Sequence, residues 1–368
     1  MIRPFSCVAA ICILSLVVPV IWAASLADFG AQGDGKTNNT VALKAALASG
    51  KKDIYIPPGT YLIGPDPLNV PEEIRLHGAG RSSVFKVTEG TGKLLTLKRN
   101  VRLEKLHFDS KGVKKGSESE GLVILPTASD GVTIESVSFT DCDRSCILTD
   151  HANDITIRDC EFRKVGLAII LQFSSRAKVL GNTVVDARIH GIQFWGNWKF
   201  ERKDSSDLIF ANNYVKNGGS GAIWGTGATR IVMSGNIVDG AEDVGLDLEW
   251  CEDSVITGNT VRNCKNAGIS LFFSCQRISI TGNTVINDHA IADEDAKKDW
   301  WVRSGIWLTY PNRGTFKNDN GHRDVTIVGN TIWSAEGRRR AMWIGRESKN
   351  ITIDKNTINR GEIKQDSK

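Results

Sequence analysis

Beyond its first two dozen residues the 368-residue chain has no apolar run approaching the ~20 residues that a membrane-spanning helix needs, so no membrane span is expected there. It has no Cys-x-x-Cys and no His-x-x-x-His spacing, which argues against a zinc site. Cysteine is sparse. Cys142, Cys146, Cys160, Cys251, Cys264 and Cys275 are too few for a disulfide scaffold in so long a chain. Small buried thiols are expected at Cys146 and Cys160, and Cys251 with Cys275 makes the best candidate disulfide pair. Charge of one sign is also lacking. The formal net charge is +4, and nucleic acid is not an expected partner. The charge that exists is local, acidic in EDVGLDLEWCED (242–253) and basic in GRRRAMWIGR (337–346). A coiled-coil segment is absent as well, and a monomer is expected.

What is present begins with a leader. Arg3, the apolar run CVAAICILSLVVPVIW and the small residues Ala23, Ala24 and Ser25 read as a secretory signal peptide over residues 1–23. Neither Cys7 nor Cys12 follows a lipobox. Residues 24–368 are therefore expected as one secreted or periplasmic domain, where a basic patch suits an anionic glycan better than DNA.

Self-similarity is the strongest signal in the chain. GVTIESVSF, DITIRDCEF, RAKVLGNTV, DLIFANNYV, RIVMSGNIV, SVITGNTV, RISITGNTV, DVTIVGNTI and NITIDKNTI share an apolar/polar alternation that closes on a small residue, usually Asn. That slot is filled in order by Val137, Cys160, Asn182, Asn213, Asn236, Asn259, Asn283, Asn330 and Asn356, mostly 22 to 26 residues apart. Such a period in strand-rich sequence indicates a parallel β-helix, with the asparagines stacked at one turn and bonded along the axis. A further strand recurs once per coil as GLVILP, SCILTD, AIILQF, GIQFWG, GAIWGT, GLDLEW, GISLFF, GIWLTY and AMWIGR. Its inward positions, among them Leu122, Ile124, Ile192, Phe194, Leu246, Leu248, Ile306 and Ile344, form a core wall.

Two opening segments, DFGAQGDGKTNNTVALKAALAS (28–49) and IYIPPGTYLI (54–63), resemble the N-terminal segment of the pectate-lyase-like right-handed parallel β-helix superfamily. The resemblance implies an all-β, single-domain right-handed solenoid with a capping segment over about residues 26–64. The superfamily includes polysaccharide lyases, glycoside hydrolases, uronan epimerases and phage tailspikes, so the fold does not choose a reaction. A helix near Asn39 to Ser49, with apolar Val41, Leu43, Ala46 and Leu47, would close the open end of the coil stack.

Insertions at 111–120, 197–206, 289–304 and 311–323 flank the GLDLEW series on both edges, as loops walling a groove do. Aligning the series by its glycines puts Gln193, Ile223, Asp247, Ser270, Trp307 and Trp343 in one outward column and Trp195, Gly225, Glu249, Phe272 and Thr309 in the next. His190, Ser304 and Arg340 stand in the column before. Coils stack about 4.8 Å apart, so Gln193 and Trp195 lie about two coils from the acids on one side and Trp307 about two on the other.

Asp247 and Glu249, two apart on a strand, leave the same face with Cα atoms about 6.7 Å apart. Proximity should raise one carboxyl so that it donates while the other stays ionised. The expected function is an exported polysaccharide-degrading enzyme, a glycoside hydrolase needing no cofactor. Asp247 and Glu249 are its acid/base pair, His190 a further catalytic candidate, and Gln193, Trp195, Trp307, Trp343, Phe272 and Arg340 contact the substrate. The alternatives are a lyase or C5 epimerase on a uronic-acid polymer, with Ca²⁺ on Asp243, Asp247 and Glu249 and His190 as base, or a non-catalytic glycan-binding solenoid. For the acids the competing reading is a solvated strand face. For Arg338 to Arg340 and for the DHAND stretch (150–154) with His151, it is a surface turn.

Overall fold

The computed structural model describes residues 23–197, 202–287, 304–314, 316–334 and 340–366. The chain winds as a parallel solenoid of about thirteen turns, each contributing strands to three ladders. The first ladder holds the ITI and VTI strands, such as Thr156–Arg158, Ser205–Ala211 and Glu252–Thr257. The second holds the short strands after the Asn turn, such as Tyr214–Lys216, Ile237–Ala241 and Thr260–Cys264. The third is the GLDLEW series: Gly221–Thr226, Val244–Glu249, Ala267–Phe272, Ser304–Leu308 and Arg340–Ile344. The second and third ladders form one continuous sheet, because Ser138–Asp150, Glu161–Gln172 and Thr183–Trp195 bend round the corner without a break.

The turn between the first two ladders carries the expected asparagine stack. Asn182, Asn213, Asn236, Asn259, Asn283 and Asn330 are each buried. Asn213 donates Nδ2 to Asn236 Oδ1 at 3.0 Å and to the Val179 carbonyl at 2.9 Å, and the pattern repeats rung by rung to Asn356. Each amide thereby satisfies groups that the sharp turn would leave buried and unbonded. The first rung uses Cys160, whose N–H donates to Asn182 Oδ1 at 3.0 Å.

The capping helix runs Thr40–Ala48 and buries Thr40, Leu43, Ala46 and Leu47 at the N-terminal end of the coil stack. Val41 departs from expectation: it is 80% exposed, one position off the buried stripe. All six described cysteines are buried free thiols, so Cys251 and Cys275 do not form the expected disulfide. They occupy equivalent corners of adjacent coils, where the Cys251 N–H donates to Cys275 Sγ at 3.4 Å. The His151 segment is a bend outside the strands, as its turn reading required, with His151 exposed and at φ +57°.

Two registers differ from the glycine alignment, the first of them beside the acids. Gly221 pairs with Val244, Ile223 with Leu246 and Thr226 with Glu249, so Trp224 and Thr226, not Ile223 and Gly225, stand beside the acids. The physical reason lies in the core. Ile223 is fully buried, and Gly225 pairs with Phe194, whose ring lies 2.4 Å from where a Gly225 Cβ would sit. Phe194 fills the space that an inward side chain at 225 would need, and the strand slides by one residue to put Ile223 inside. The same slip occurs earlier: Leu148 pairs with Ile170, and Ile124 joins the outer layer while Val123 and Leu125 enter the core.

Candidate functional site

The outward column of the third ladder therefore reads Thr96, Ile124, Leu148, Ile170, Gln193, Trp224, Asp247, Ser270, Trp307, Trp343 and Lys364. Beside it run Gln172, Trp195, Thr226, Glu249 and Phe272. Gln193 and Trp195 lie two coils from the acids and Trp307 two coils beyond, as expected. This face is not a bare solvated surface. Trp307, Val244 and Ala267, with Trp224, Phe272 and Trp343 against them, form an apolar cluster separate from the solenoid core.

Asp247 is fully buried and Glu249 half-buried. Ser270 Oγ donates to Asp247 Oδ1, while Asp247 Oδ2 has no partner. Trp224 Nε1–H donates to Glu249 Oε1 at 3.1 Å. Burial and the neighbouring Glu249 charge push the Asp247 carboxyl well above its ordinary range. Burial pushes Glu249 up to about 8. Asp243, also raised by burial, accepts from Asn266 Nδ2 at 2.8 Å. The pair therefore holds a proton near neutrality and titrates as a unit.

A stability consequence follows from these directions. The folded state keeps a proton on Glu249 up to about pH 8, whereas the unfolded chain loses it near the ordinary 4.5. The folded protein thus binds more protons, and stability contributed by this site falls as pH rises from the unfolded to the folded value. Asp247→Asn is expected to raise Tm relative to the parent at about pH 8 and to leave it nearly unchanged at about pH 4. Thermal melts at the two pH values measure this.

His190 lies two strands from the acids and one from Trp224, with its ring stacked 4.8 Å from that of Trp224 at an interplanar angle of 7°. Its Nδ1 accepts the Gly221 N–H at 3.0 Å, and burial lowers its pKa to about 4. The ring is therefore neutral with Nδ1 already engaged, which suits it to holding the Trp224 indole under Glu249 rather than to taking a proton. Trp195 completes this aromatic group, 5.6 Å from Trp224. On the other side Phe272 meets Trp307 edge-on at 5.0 Å, and Trp307 stacks on Trp343 at 6.1 Å. Arg340 opens its strand rather than lying in a surface turn, and it sits 4.2 Å over Trp343, with Lys364 at 4.3 Å from the same ring. Arg338 and Arg339 lie outside the described residues.

Several buried polar atoms on this face have no partner: Gln193 Nε2 and Oε1, Thr226 Oγ1, Asp247 Oδ2 and Trp307 Nε1. By contrast, a cleft of about 770 Å³ at the corner of the second and third ladders is lined by charged and polar side chains, several of them bonded to one another. Lys265 pairs with Glu242 there, and Asn217 Nδ2 donates to Asp186 Oδ1 at 2.7 Å. It contains neither acid of the pair.

Of the four insertions, 111–120 is fastened by Arg144 Nε to the Lys114 carbonyl at 3.0 Å and by Ser145 Oγ to the Glu118 carbonyl at 2.7 Å. The 311–323 loop is fastened through Asp319, which accepts from Ser274 Oγ at 3.0 Å and from the Asn312 N–H at 2.7 Å. Residues 198–201 and 288–303 of the other two lie outside the described residues. Asp243, Asp247 and Glu249 each accept a hydrogen bond from a different neighbour, and among the described residues no three His, Cys, Asp or Glu side chains converge as metal ligands. No helix of the described residues is long and apolar enough to cross a membrane.

Trp224 was missed at the sequence level because the glycine alignment placed Ile223 outward. The signal that could have found it is the rule that aliphatic residues alternate inward, which puts the indole of GAIWGT outside.

The family model described as "Right handed beta helix region" matches residues 89–199 and 198–320, and the chain belongs to that family. Among solved structures it is similar to the A-module of the mannuronan C-5 epimerase AlgE6 of Azotobacter vinelandii, at 17% identity and TM-score 0.71, covering 94% of this chain and 96% of that one. It is also similar to DFA-IIIase of Arthrobacter chlorophenolicus A6, at 14% identity and TM-score 0.69, covering 92% and 98%. A third likeness is to PfbA, a surface adhesin of Streptococcus pneumoniae, at 15% identity and TM-score 0.67, covering 94% and 90%. At these identities the likeness concerns the fold.

Proposed function

We propose that this chain is an exported carbohydrate-active enzyme that hydrolyses a polysaccharide bound along the third ladder, with Asp247 and Glu249 as the catalytic pair. The observation that carries the reading is a pair of carboxyls, both raised by burial, set between two groups of aromatic rings on one solenoid face. Glu249, the more exposed acid, is held by the Trp224 N–H, and the buried pair keeps a proton near neutrality with which one of its carboxyls serves as the general acid toward the glycosidic oxygen. The other carboxyl of the pair, once ionised, activates water or stabilises the developing positive charge on the sugar. Trp195 offers a flat apolar face on which sugar C–H groups stack. Export rests on the leader reading of residues 1–23.

The lyase reading gains little from the geometry, because His190 has its Nδ1 engaged and a pKa lowered to about 4. The test is a screen of the purified protein against neutral and anionic polysaccharides, with and without EDTA, following reducing ends and the ultraviolet absorbance of an unsaturated product. Reducing ends without absorbance, unchanged by EDTA, are expected. Absorbance that EDTA abolishes overturns the reading in favour of a lyase.

A further inference from the structure

We propose that Gln193, with Thr226 and Trp195, forms a subsite for an uncharged sugar ring that presents adjacent hydroxyl groups, one to two coils from the carboxyl pair. The proposal deepens the polysaccharide reading of this face and rests on it. Gln193 is fully buried, yet neither its amide nitrogen nor its amide oxygen has a hydrogen-bond partner. Thr226, 2% exposed and one coil further along, has an equally unpartnered hydroxyl. Both belong to the outer face. Gln193 pairs in register with Ile170 and Trp224, and Thr226 with Trp195 and Glu249.

Buried amides and hydroxyls without partners are costly, and the adjoining coils place Ile170 and Trp224 at the position of Gln193. The positions flanking Gln193 show this directly: Leu148, Leu167 and Ile170 form an apolar cluster on one side, and the tryptophan cluster lies on the other. A glutamine amide offers donor and acceptor side by side and no charge. Adjacent sugar hydroxyls match that pair, each able to give and to take a hydrogen bond, and the Thr226 hydroxyl supplies a third contact. A carboxylate matches it poorly, since the amide oxygen would repel it. No Lys or Arg stands in this column between Thr96 and Trp343. The half-buried Trp195 ring, continuous with Trp224, supplies the apolar floor. At about 4.8 Å per coil Gln193 lies about 9.6 Å from Asp247 and Thr226 about 4.8 Å from Glu249, within reach of the same bound glycan chain.

The test uses Glu249→Gln protein, which binds without turnover, titrated with neutral gluco-, manno-, galacto- and fructo-oligosaccharides and with uronic-acid oligomers, and followed by tryptophan fluorescence and calorimetry. Gln193→Leu, and Gln193→Met as a second variant of similar length, are expected to weaken neutral-oligosaccharide binding by about tenfold or more while Tm stays level or rises. A fall in Tm with affinity unchanged makes the amide a structural group and overturns the proposal. Tighter binding of uronic-acid oligomers, untouched by either variant, overturns it too, as does failure of every neutral oligosaccharide to bind. The catalytic reading is judged separately. If Gln193→Leu weakens binding but Glu249→Gln retains turnover in the polysaccharide screen, the subsite stands and the acid assignment falls.

Discussion

Glu249→Gln is expected to lower turnover of the polysaccharide substrate by about 10²–10⁴-fold while leaving its affinity within a few-fold of the parent. The glutamine side chain keeps an oxygen for the Trp224 N–H, so the indole stays in place between His190 and Glu249. What disappears is the proton that the glutamic acid holds up to about pH 8. A loss confined to kcat identifies an interaction made in the transition state. A rise in KM at unchanged kcat would make Glu249 a binding residue, and no change in either would leave the pair without a catalytic role. Steady-state kinetics beside direct binding separates the three outcomes.

The second large effect concerns the fold. Asn236→Ala is expected to destabilise the protein by about 3–5 kcal/mol. The Asn236 side chain donates to the Phe210 carbonyl and to Asn259 Oδ1, both at 2.9 Å, and its Oδ1 accepts the Asn213 backbone N–H and Nδ2, both at 3.0 Å. Alanine removes the partner of the Phe210 carbonyl and of the Asn213 backbone N–H inside the stack, and each buried group left unmet costs roughly 1–3 kcal/mol. Asn356→Ala, at the half-buried last rung where water can substitute, is expected to cost about half as much. Urea unfolding of the two variants gives the comparison. Equal small losses would show that the stack follows the fold rather than holding it.

The solenoid was legible because its signal repeats. Nine strand segments closing on one small residue give both the coil and the asparagine turn, and the Asn182 to Asn356 stack forms where that spacing placed it. The acids were legible for the same reason: alternation in GLDLEW sends Leu246 and Leu248 inward and Asp247 and Glu249 outward. What could not be read was the register of individual coils. Gly225 looks like an outward gap in the repeat and is in fact the space that the Phe194 ring occupies from the neighbouring coil, a fact about packing between residues 31 positions apart. That single slip hid Trp224, the residue that holds Glu249. The burial of Asp247 was also invisible, since outward alternation alone reads as solvated. The Cys251 and Cys275 pairing failed more simply, because equal positions on neighbouring coils bring thiols together whether or not they are bonded.

The central claim is that a protonated carboxyl of the Asp247–Glu249 pair drives glycosidic hydrolysis, and the pH profile of kcat/KM on the best substrate of the screen tests it most directly. The expected profile is bell-shaped, its two limbs being the two proton steps of the pair, both above the ordinary carboxylate range and one of them near pH 8. A profile whose only inflections lie in the ordinary carboxylate range, with none near pH 8, would contradict it, since the chemistry would then owe nothing to the raised protons of the buried pair.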